Sequence, residues 1–280
     1  MDSGNWIIDN IVNALNMWNA KLLEIWQLLT QSLETFKGGA IWDVAVDMNG
    51  ALKAIGYALL VLFFLVGVVK TAGSFAELKK PEHALKLFIR FVLAKGAVTY
   101  GLDLMMALFG IVQGVIVTAL STADVGVAAP VTLPVEMEEA IRGLTFWQSI
   151  PAWAVSLIGS LVIIVLAFIM IMSVYGRFFK IYLYTAIAPI PLAAFAGEPS
   201  SHIGKGFVKG YAAVCLEGAV IVLACIIFSV FAATPPAVPP DATPLTMVWS
   251  YMGELIFNLL VLVGAVKMAD RVVHEMFGLY

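Results

Sequence analysis

Residues 177–197 read Arg-Phe-Phe-Lys-Ile-Tyr-Leu-Tyr-Thr-Ala-Ile-Ala-Pro-Ile-Pro-Leu-Ala-Ala-Phe-Ala-Gly. This segment indicates how the chain is arranged in a membrane. Its apolar part, 181–197, would reach only about 25 Å as a straight helix. Pro189 and Pro191 lack backbone donors, and the residue before each proline is disfavoured in helical geometry. Because the freed carbonyls would need partners in lipid, we predict a broken segment that lies against protein or a cavity, not against lipid, and that re-enters the membrane.

The composition places the chain in the membrane class. It is 61% hydrophobic and 12% charged, with a formal net charge of −3 over 280 residues, far from the averages of soluble domains. We therefore predict an all-α, polytopic bundle of transmembrane helices. The negative charge gives no footprint for nucleic acid, and the acidic N-terminus gives no sign of a signal peptide. Cys215 and Cys225 would lie about 15 Å apart along one predicted helix, too far for a disulfide.

Five apolar runs are long enough to cross a bilayer as helices. They are predicted at 51–69, 91–120, 152–175, 211–233 and 246–266. The second run is longer than one crossing needs, so we expect it to tilt or to project from the bilayer. We divide the chain into an N-terminal amphipathic helix within residues 1–40, outside the cytoplasm, and a transmembrane domain of residues 41–280.

The N-terminal helix, predicted over residues 5–36, carries an apolar seam with a period of 3.5 residues. The seam consists of Ile8, Ile11, Leu15, Trp18, Leu22, Ile25 and Leu29. Polar residues cover the other faces, so the helix is too polar to span. Three interpretations remain open. The helix lies in the membrane interface, anchored by Trp6, Trp18 and Trp26, it packs on its own membrane domain, or it joins a bundle between subunits.

The distribution of basic residues orients the chain. Residues 70–95 hold six Lys or Arg, 177–209 hold four and 267–280 hold two, whereas the rest of the chain holds four. The positive-inside rule places these three regions in the cytoplasm, and they share one side only if residues 181–197 re-enter. We therefore predict a multi-pass cell-membrane protein with its N-terminus outside, its C-terminus in the cytoplasm and the Pro-rich loop 234–244 outside. A full crossing by the proline segment, giving six spans, is the alternative.

Catalytic and metal-binding patterns are not found in the sequence. The three histidines have no metal-ligand spacing, and no phosphate-binding loop or nucleophile elbow occurs. We therefore expect a protein that is not an enzyme, with no catalytic residue, no metal and no cofactor apart from structural lipids.

Charged residues inside apolar runs are costly and mark candidate functional positions. Asp103, Glu217 and Glu254 lie within predicted spans, and Lys95 lies at a depth similar to that of Glu217. We predict an ion pair between Lys95 and Glu217 across helices. For the acids, the alternatives are a structural role, a hydrated gap between subunits, and a proton or ion relay.

A resemblance to a known family rests on two stretches. The first is the basic–aromatic run 177–180 leading into Ala-Pro-Ile-Pro, followed by Gly-Lys-Gly-Phe-Val-Lys-Gly-Tyr at 204–211. It resembles the TrbL-like family, the polytopic membrane subunits of conjugative type IV secretion systems. The second, the apolar run from Ala51, resembles members carried on integrative elements of Gram-positive bacteria. The likeness covers roughly residues 48–275.

The resemblance implies a function and partners. The family forms a VirB-class inner-membrane platform of the DNA-transfer channel and works with ATPases and other channel subunits. It implies five spans with the N-terminus outside and assembly of related subunits as a ring, a pentamer. Gly110 and Gly114 form a small-xxx-small pair that permits close helix contact, which also favours a closed homo-oligomer. Transferred DNA would pass without a nucleic-acid-binding motif in this chain, and membrane lipids are the remaining expected partners.

A second function from another class stays open. An ion-coupled secondary transporter or small channel would use the intramembrane acids and the proline-broken segment, because transporters build sites from discontinuous helices. The sequence shows no inverted repeat, which counts against this alternative.

Overall fold

The computed structural model describes residues 5–71, 81–122, 130–231 and 243–279, and every regular element in these ranges is helical. The α-helices are α1 Trp6–Thr30, α2 Ala40–Thr71, α3 Pro81–Thr99, α4 Gly101–Thr122, α5 Val135–Arg142, α6 Phe146–Ile187, α7 Pro189–Ala193, α8 Ser201–Phe231 and α9 Pro244–Phe277. Short 3₁₀ turns occur at Phe36–Gly38 and Ala194–Ala196. Most of the predicted Pro-rich loop 234–244, and the basic residues Lys79 and Lys80, lie outside the described residues.

Five helices are long and apolar enough to cross a membrane, namely α2, α4, α6, α8 and α9. This confirms the predicted all-α polytopic fold. The longest, α6, has 42 residues and is therefore about 63 Å long, roughly twice the apolar thickness of a bilayer. The boundaries of the membrane itself, and the predicted domain boundary near residue 40, stay predictions.

Residues 91–120 do not form the single helix that the apolar run predicts. The structure divides them at Tyr100 into α3 and α4, and α4 is the part with the length and hydropathy of a span. The amide of Tyr100 still donates to the carbonyl of Gly96 at 2.9 Å, so the backbone bends without losing this hydrogen bond. Gly101, the first residue of α4, is buried and lies close to Leu192, since a Cβ there would lie 2.5 Å from Leu192 Cδ1.

The described residues group into two compact units. The first contains α1, α5, the end of α4 from Val117, α6 up to Tyr175, α8 from Val220 and α9 up to Ala269. The second contains α2, α3, the rest of α4, α6 from Gly176, α7, the start of α8 and the last residues of α9.

Within the first unit, the seam of α1 packs on the chain's own helices. All seven seam residues, including Trp18, are buried. Trp26 is buried as well, whereas Trp6 is 76% exposed. Ser160 Oγ on α6 donates to the Asn10 carbonyl at 2.9 Å. Of the three interpretations of this helix, the structure supports packing on its own chain, because two of the three proposed interfacial anchors are buried in protein.

Helix α1 ends at Thr30, earlier than the predicted residue 36. The Thr30 hydroxyl donates to the Trp26 carbonyl at 3.0 Å. Phe36 then lies in a 3₁₀ turn that Gly39 closes with a φ of 85°. This left-handed conformation favours glycine, so the Gly38-Gly39 pair ends the turn directly before α2 begins at Ala40.

Candidate functional site

The proline segment begins where α6 ends, in the second unit. Helix α6 ends at Ile187 and α7 begins at Pro189, so the helix boundary falls at the predicted prolines. A proline at position 189 cannot donate to the carbonyl four residues earlier, which belongs to Thr185. Asn49 Nδ2 on α2 donates to that carbonyl at 2.6 Å, and Asn49 is 2% exposed. A side chain from another helix therefore replaces the hydrogen bond that the proline removes.

Two glycines of α2 let this segment approach closely. A Cβ at Gly56 would lie 2.8 Å from the Pro189 carbonyl oxygen, and a Cβ at Gly67 would lie 3.1 Å from the Gly197 Cα. Gly197 in turn faces the Phe63 carbonyl, which a Cβ would meet at 2.5 Å. The segment from Pro189 to Gly197 therefore lies along α2, backbone against backbone, and of the two predicted surroundings, protein or a cavity, the structure shows protein.

Charged side chains from three helices meet in the same unit. Lys180 Nζ on α6 lies 2.9 Å from Asp270 Oδ1 on α9 and 3.8 Å from Glu217 Oε2 on α8. His274 Nδ1 lies 3.3 Å from Asp270 Oδ1. Glu217 is 5% exposed, whereas the side chains of Lys180 and Asp270 are 43% exposed. The cluster therefore leads from a buried carboxylate to the surface and ties α6, α8 and α9 together.

Arg177 lies one helical turn before Lys180 and is 1% exposed. Its Nε donates to the Val214 carbonyl and its Nη2 to the Cys215 carbonyl, both at 3.2 Å. The guanidinium also lies 5.7 Å from the ring centroid of Phe178, within the range of a cation–π contact. It fits against α8 because Gly218 has no side chain, since a Cβ there would overlap the guanidinium.

The structure distributes the predicted candidate residues differently from the sequence analysis. The prediction that Lys95 pairs with Glu217 is wrong: Lys95 is exposed on α3, and Glu217 lies beside Lys180. Asp103 and Glu254 are exposed on α4 and α9. The hydropathy pattern of a helix shows on which face a charged residue lies, but it does not identify the helix that packs against that face. The prediction that Lys95 pairs with Glu217 was wrong for this reason.

The small-xxx-small pair lies on α4. Gly110 and Gly114 are both exposed, and a Cβ added at either would meet no described atom within 4 Å outside its own helix backbone. At Gly110 the structure therefore shows no close helix contact that would require a glycine.

Sequence reasoning missed five residues of the site. They are Asn49, Arg177, Lys180, Asp270 and His274. A signal for each was present: Asn49 interrupts an apolar helix, Arg177 and Lys180 share a face at a spacing of three, and Asp270 and His274 share a face at a spacing of four. Each of these patterns indicates one face of one helix, but it does not identify the residue that this face contacts.

Replacement of Asn49 is expected to weaken the junction at the prolines. Asn49→Leu keeps the size of the side chain but leaves the Thr185 carbonyl without this donor, which costs about 1–3 kcal/mol for a buried group. We expect a lower midpoint of thermal unfolding in mild detergent. Asn13→Leu, on an exposed face of α1, is the control and is expected to change the midpoint little. Equal midpoints for the two variants would show that the hydrogen bond does not hold the segment.

The fold and these contacts are those of a multi-pass helical membrane protein in which charged residues form hydrogen bonds and ion pairs between helices. Among the described residues, no group of three or more His, Cys, Asp and Glu side chains could hold a metal ion. A family model described as TrbL/VirB6 plasmid conjugal transfer like protein matches residues 54–189. Over this segment the chain is similar to that family, which confirms the predicted resemblance to TrbL-like membrane proteins of conjugal transfer.

The matched segment runs from α2 to Pro189, at the start of α7. It contains Arg177 and Lys180 and stops before Glu217 and Asp270. It is shorter than the likeness predicted over residues 48–275. Comparison with curated proteins gives no match.

Proposed function

We propose that this chain is a non-enzymatic channel or platform subunit of a conjugative type IV secretion system, supporting the transfer of DNA or protein. The observation that carries the proposal is the family match over residues 54–189, which contains three of the five apolar helices in whole or in part and ends at the proline junction. The geometry agrees with a structural role, because Arg177 and Lys180 bind groups on neighbouring helices.

Assembly with further copies is part of the proposal. Asp103 and Glu254 are exposed on apolar helices, where a carboxylate facing lipid is costly. A subunit interface or a hydrated centre would lower that cost, and the small-xxx-small spacing of α4, with Gly110 exposed, would permit close contact with another helix. We propose a closed homo-oligomeric ring, and the number of five subunits comes from the family resemblance alone.

Co-isolation from donor cells tests the function. The tagged chain is cross-linked in cells that carry the conjugative element, purified in mild detergent and examined by mass spectrometry. We expect secretion ATPases and other channel subunits to be enriched over a tagged, unrelated multi-pass protein expressed at the same level. Native mass spectrometry of the same preparation would count the copies in the ring. Recovery of a monomer without any secretion subunit would contradict the proposal.

A secondary transporter or small ion channel is the second candidate. The observation that favours it is the buried carboxylate of Glu217 beside Lys180, close in sequence to a proline-broken segment. Proteoliposomes separate the candidates: ion flux that disappears in Glu217→Gln would support the transporter, and the channel-subunit proposal expects no such coupled flux.

The orientation of the chain is a further proposal, with the N-terminus outside and the C-terminus in the cytoplasm. Basic regions at 177–209 and 267–280 support it through the positive-inside rule. A cysteine in place of Thr243 is expected to react with a membrane-impermeant reagent from outside, and one in place of His202 only after the cells are opened. Both positions are exposed, whereas the native Cys215 and Cys225 are buried, so background labelling is expected to be low. Labelling of His202→Cys from outside would mean that residues 181–197 cross the membrane.

A further inference from the structure

A basic pocket of about 390 Å³ lies between α3 and the start of α8 in the second unit. Its positive side chains are Lys86 and Arg90 from α3 and Lys205 from α8. Leu87, Leu93 and Phe195 supply part of its apolar wall. The pocket shares no lining residue with the cluster around Lys180.

The charge of the pocket favours an anion. Glu198 also lines it and lies 3.3 Å from Arg90 Nη1, so three positive charges and one negative charge leave a net charge of +2. The Ser201 hydroxyl lines the same space and donates to the Glu198 carbonyl at 2.9 Å. Lysine ammonium and arginine guanidinium groups are donors suited to phosphate oxygens.

The walls of the pocket favour an amphiphile over a free anion. Ile89 and Leu93 line it and remain 48% and 68% exposed. The neighbouring side chains Leu85, Phe88 and Val92 on α3 are exposed as well. This apolar helix surface lies directly beside basic side chains. A lipid could contact both, with its acyl chains on the apolar surface and its charged headgroup at the basic side chains. Inorganic phosphate could contact only the basic side chains.

We infer that this pocket is a binding site for the headgroup of an anionic phospholipid, with the phosphate among Lys86, Arg90 and Lys205 and an acyl chain along α3. Basic pockets between membrane helices on the cytoplasmic side recognise such headgroups. Glu198 limits the affinity, because it lies against Arg90 and adds a negative charge. The inference does not depend on the proposed function.

Native mass spectrometry of the purified protein, titrated with phosphatidylglycerol or phosphatidylcholine, tests the site. We expect phosphatidylglycerol to bind more tightly. Lys86→Gln/Lys205→Gln should weaken its binding by about 30-fold, since each lysine near an anionic headgroup contributes about 1 kcal/mol and 1.4 kcal/mol is tenfold. The matched control is Lys95→Gln/Lys209→Gln, which removes one exposed lysine from each of the same two helices outside the pocket and should retain wild-type binding.

A variant that is expected to bind the lipid more tightly distinguishes a loss of binding from a loss of folding. Glu198→Gln removes the negative charge and frees Arg90, so it should bind phosphatidylglycerol more tightly than the wild type does. Equal weakening in the pocket and control variants, or no gain in Glu198→Gln, would overturn the assignment. Displacement of the lipid by millimolar inorganic phosphate would also overturn it, because a site for a free anion would not need the apolar wall.

Discussion

Gly56→Leu is expected to prevent the proline segment from packing on α2. A Cβ at this position would already lie 2.8 Å from the Pro189 carbonyl oxygen and 3.0 Å from the Pro189 Cβ, and neither atom can move by a change of side-chain rotamer. Overpacking of this kind costs about 1–3 kcal/mol for a small addition and more for a larger one. Gly56→Ala should therefore lower the free energy of unfolding by about that amount, and Gly56→Leu should abolish recovery of the folded protein.

A matched control comes from the same helix. Gly50 has no described atom within 4 Å of an added Cβ, so Gly50→Ala should be neutral or stabilise the helix by up to about 1 kcal/mol. The measurement is the unfolding midpoint of each purified variant in one detergent. A Gly56→Ala variant as stable as Gly50→Ala would mean that the segment from Pro189 to Gly197 does not lie against α2.

Arg177→Ala is expected to be the most damaging replacement of a charged residue. It removes a fully buried side chain together with two hydrogen bonds to α8, and hydrogen bonds to charged groups contribute about 1.5–3 kcal/mol each. With the space left behind, we expect a loss of about 3–5 kcal/mol, the range for breaking a buried charge interaction. Arg142→Ala, which alters an exposed arginine on α5, should change stability little.

A second substitution tests whether Arg177 acts through its contact with α8. Gly218→Leu should be strongly destabilising, because the new side chain would overlap the guanidinium. In Arg177→Ala/Gly218→Leu, the leucine enters space that the arginine has vacated. The double variant should therefore be more stable than the sum of the two single losses predicts. Additive losses would contradict this packing.

Much of the fold could be predicted from the sequence, because hydropathy and prolines act locally. The seam from Ile8 to Leu29 indicated a buried face, the apolar runs indicated five spans, and Pro189 marked a helix end. Partners across helices could not be predicted. The donor for the Thr185 carbonyl is Asn49, 136 residues away in the chain, and nothing in the local pattern identifies it.

The bend and the ion pair escaped prediction for a related reason. Tyr100-Gly101 lies in a continuous apolar run, and Gly101 there closely approaches Leu192, a residue far away in the chain. Lys95 and Lys180 are equally plausible partners of Glu217 by depth along a helix. The choice depends on which faces of the helices meet, which hydropathy does not specify.

The frequency of conjugal transfer tests whether this chain is a subunit of the transfer channel. Donor cells that carry the conjugative element with this chain deleted are mated with recipients, and transfer is compared with that from donors complemented by the wild type. We expect transfer to be lost on deletion and restored by the wild-type chain, while donor growth and nicking of the element's DNA stay unchanged. Transfer at the wild-type frequency from the deleted donor would contradict a role as a subunit of the transfer channel.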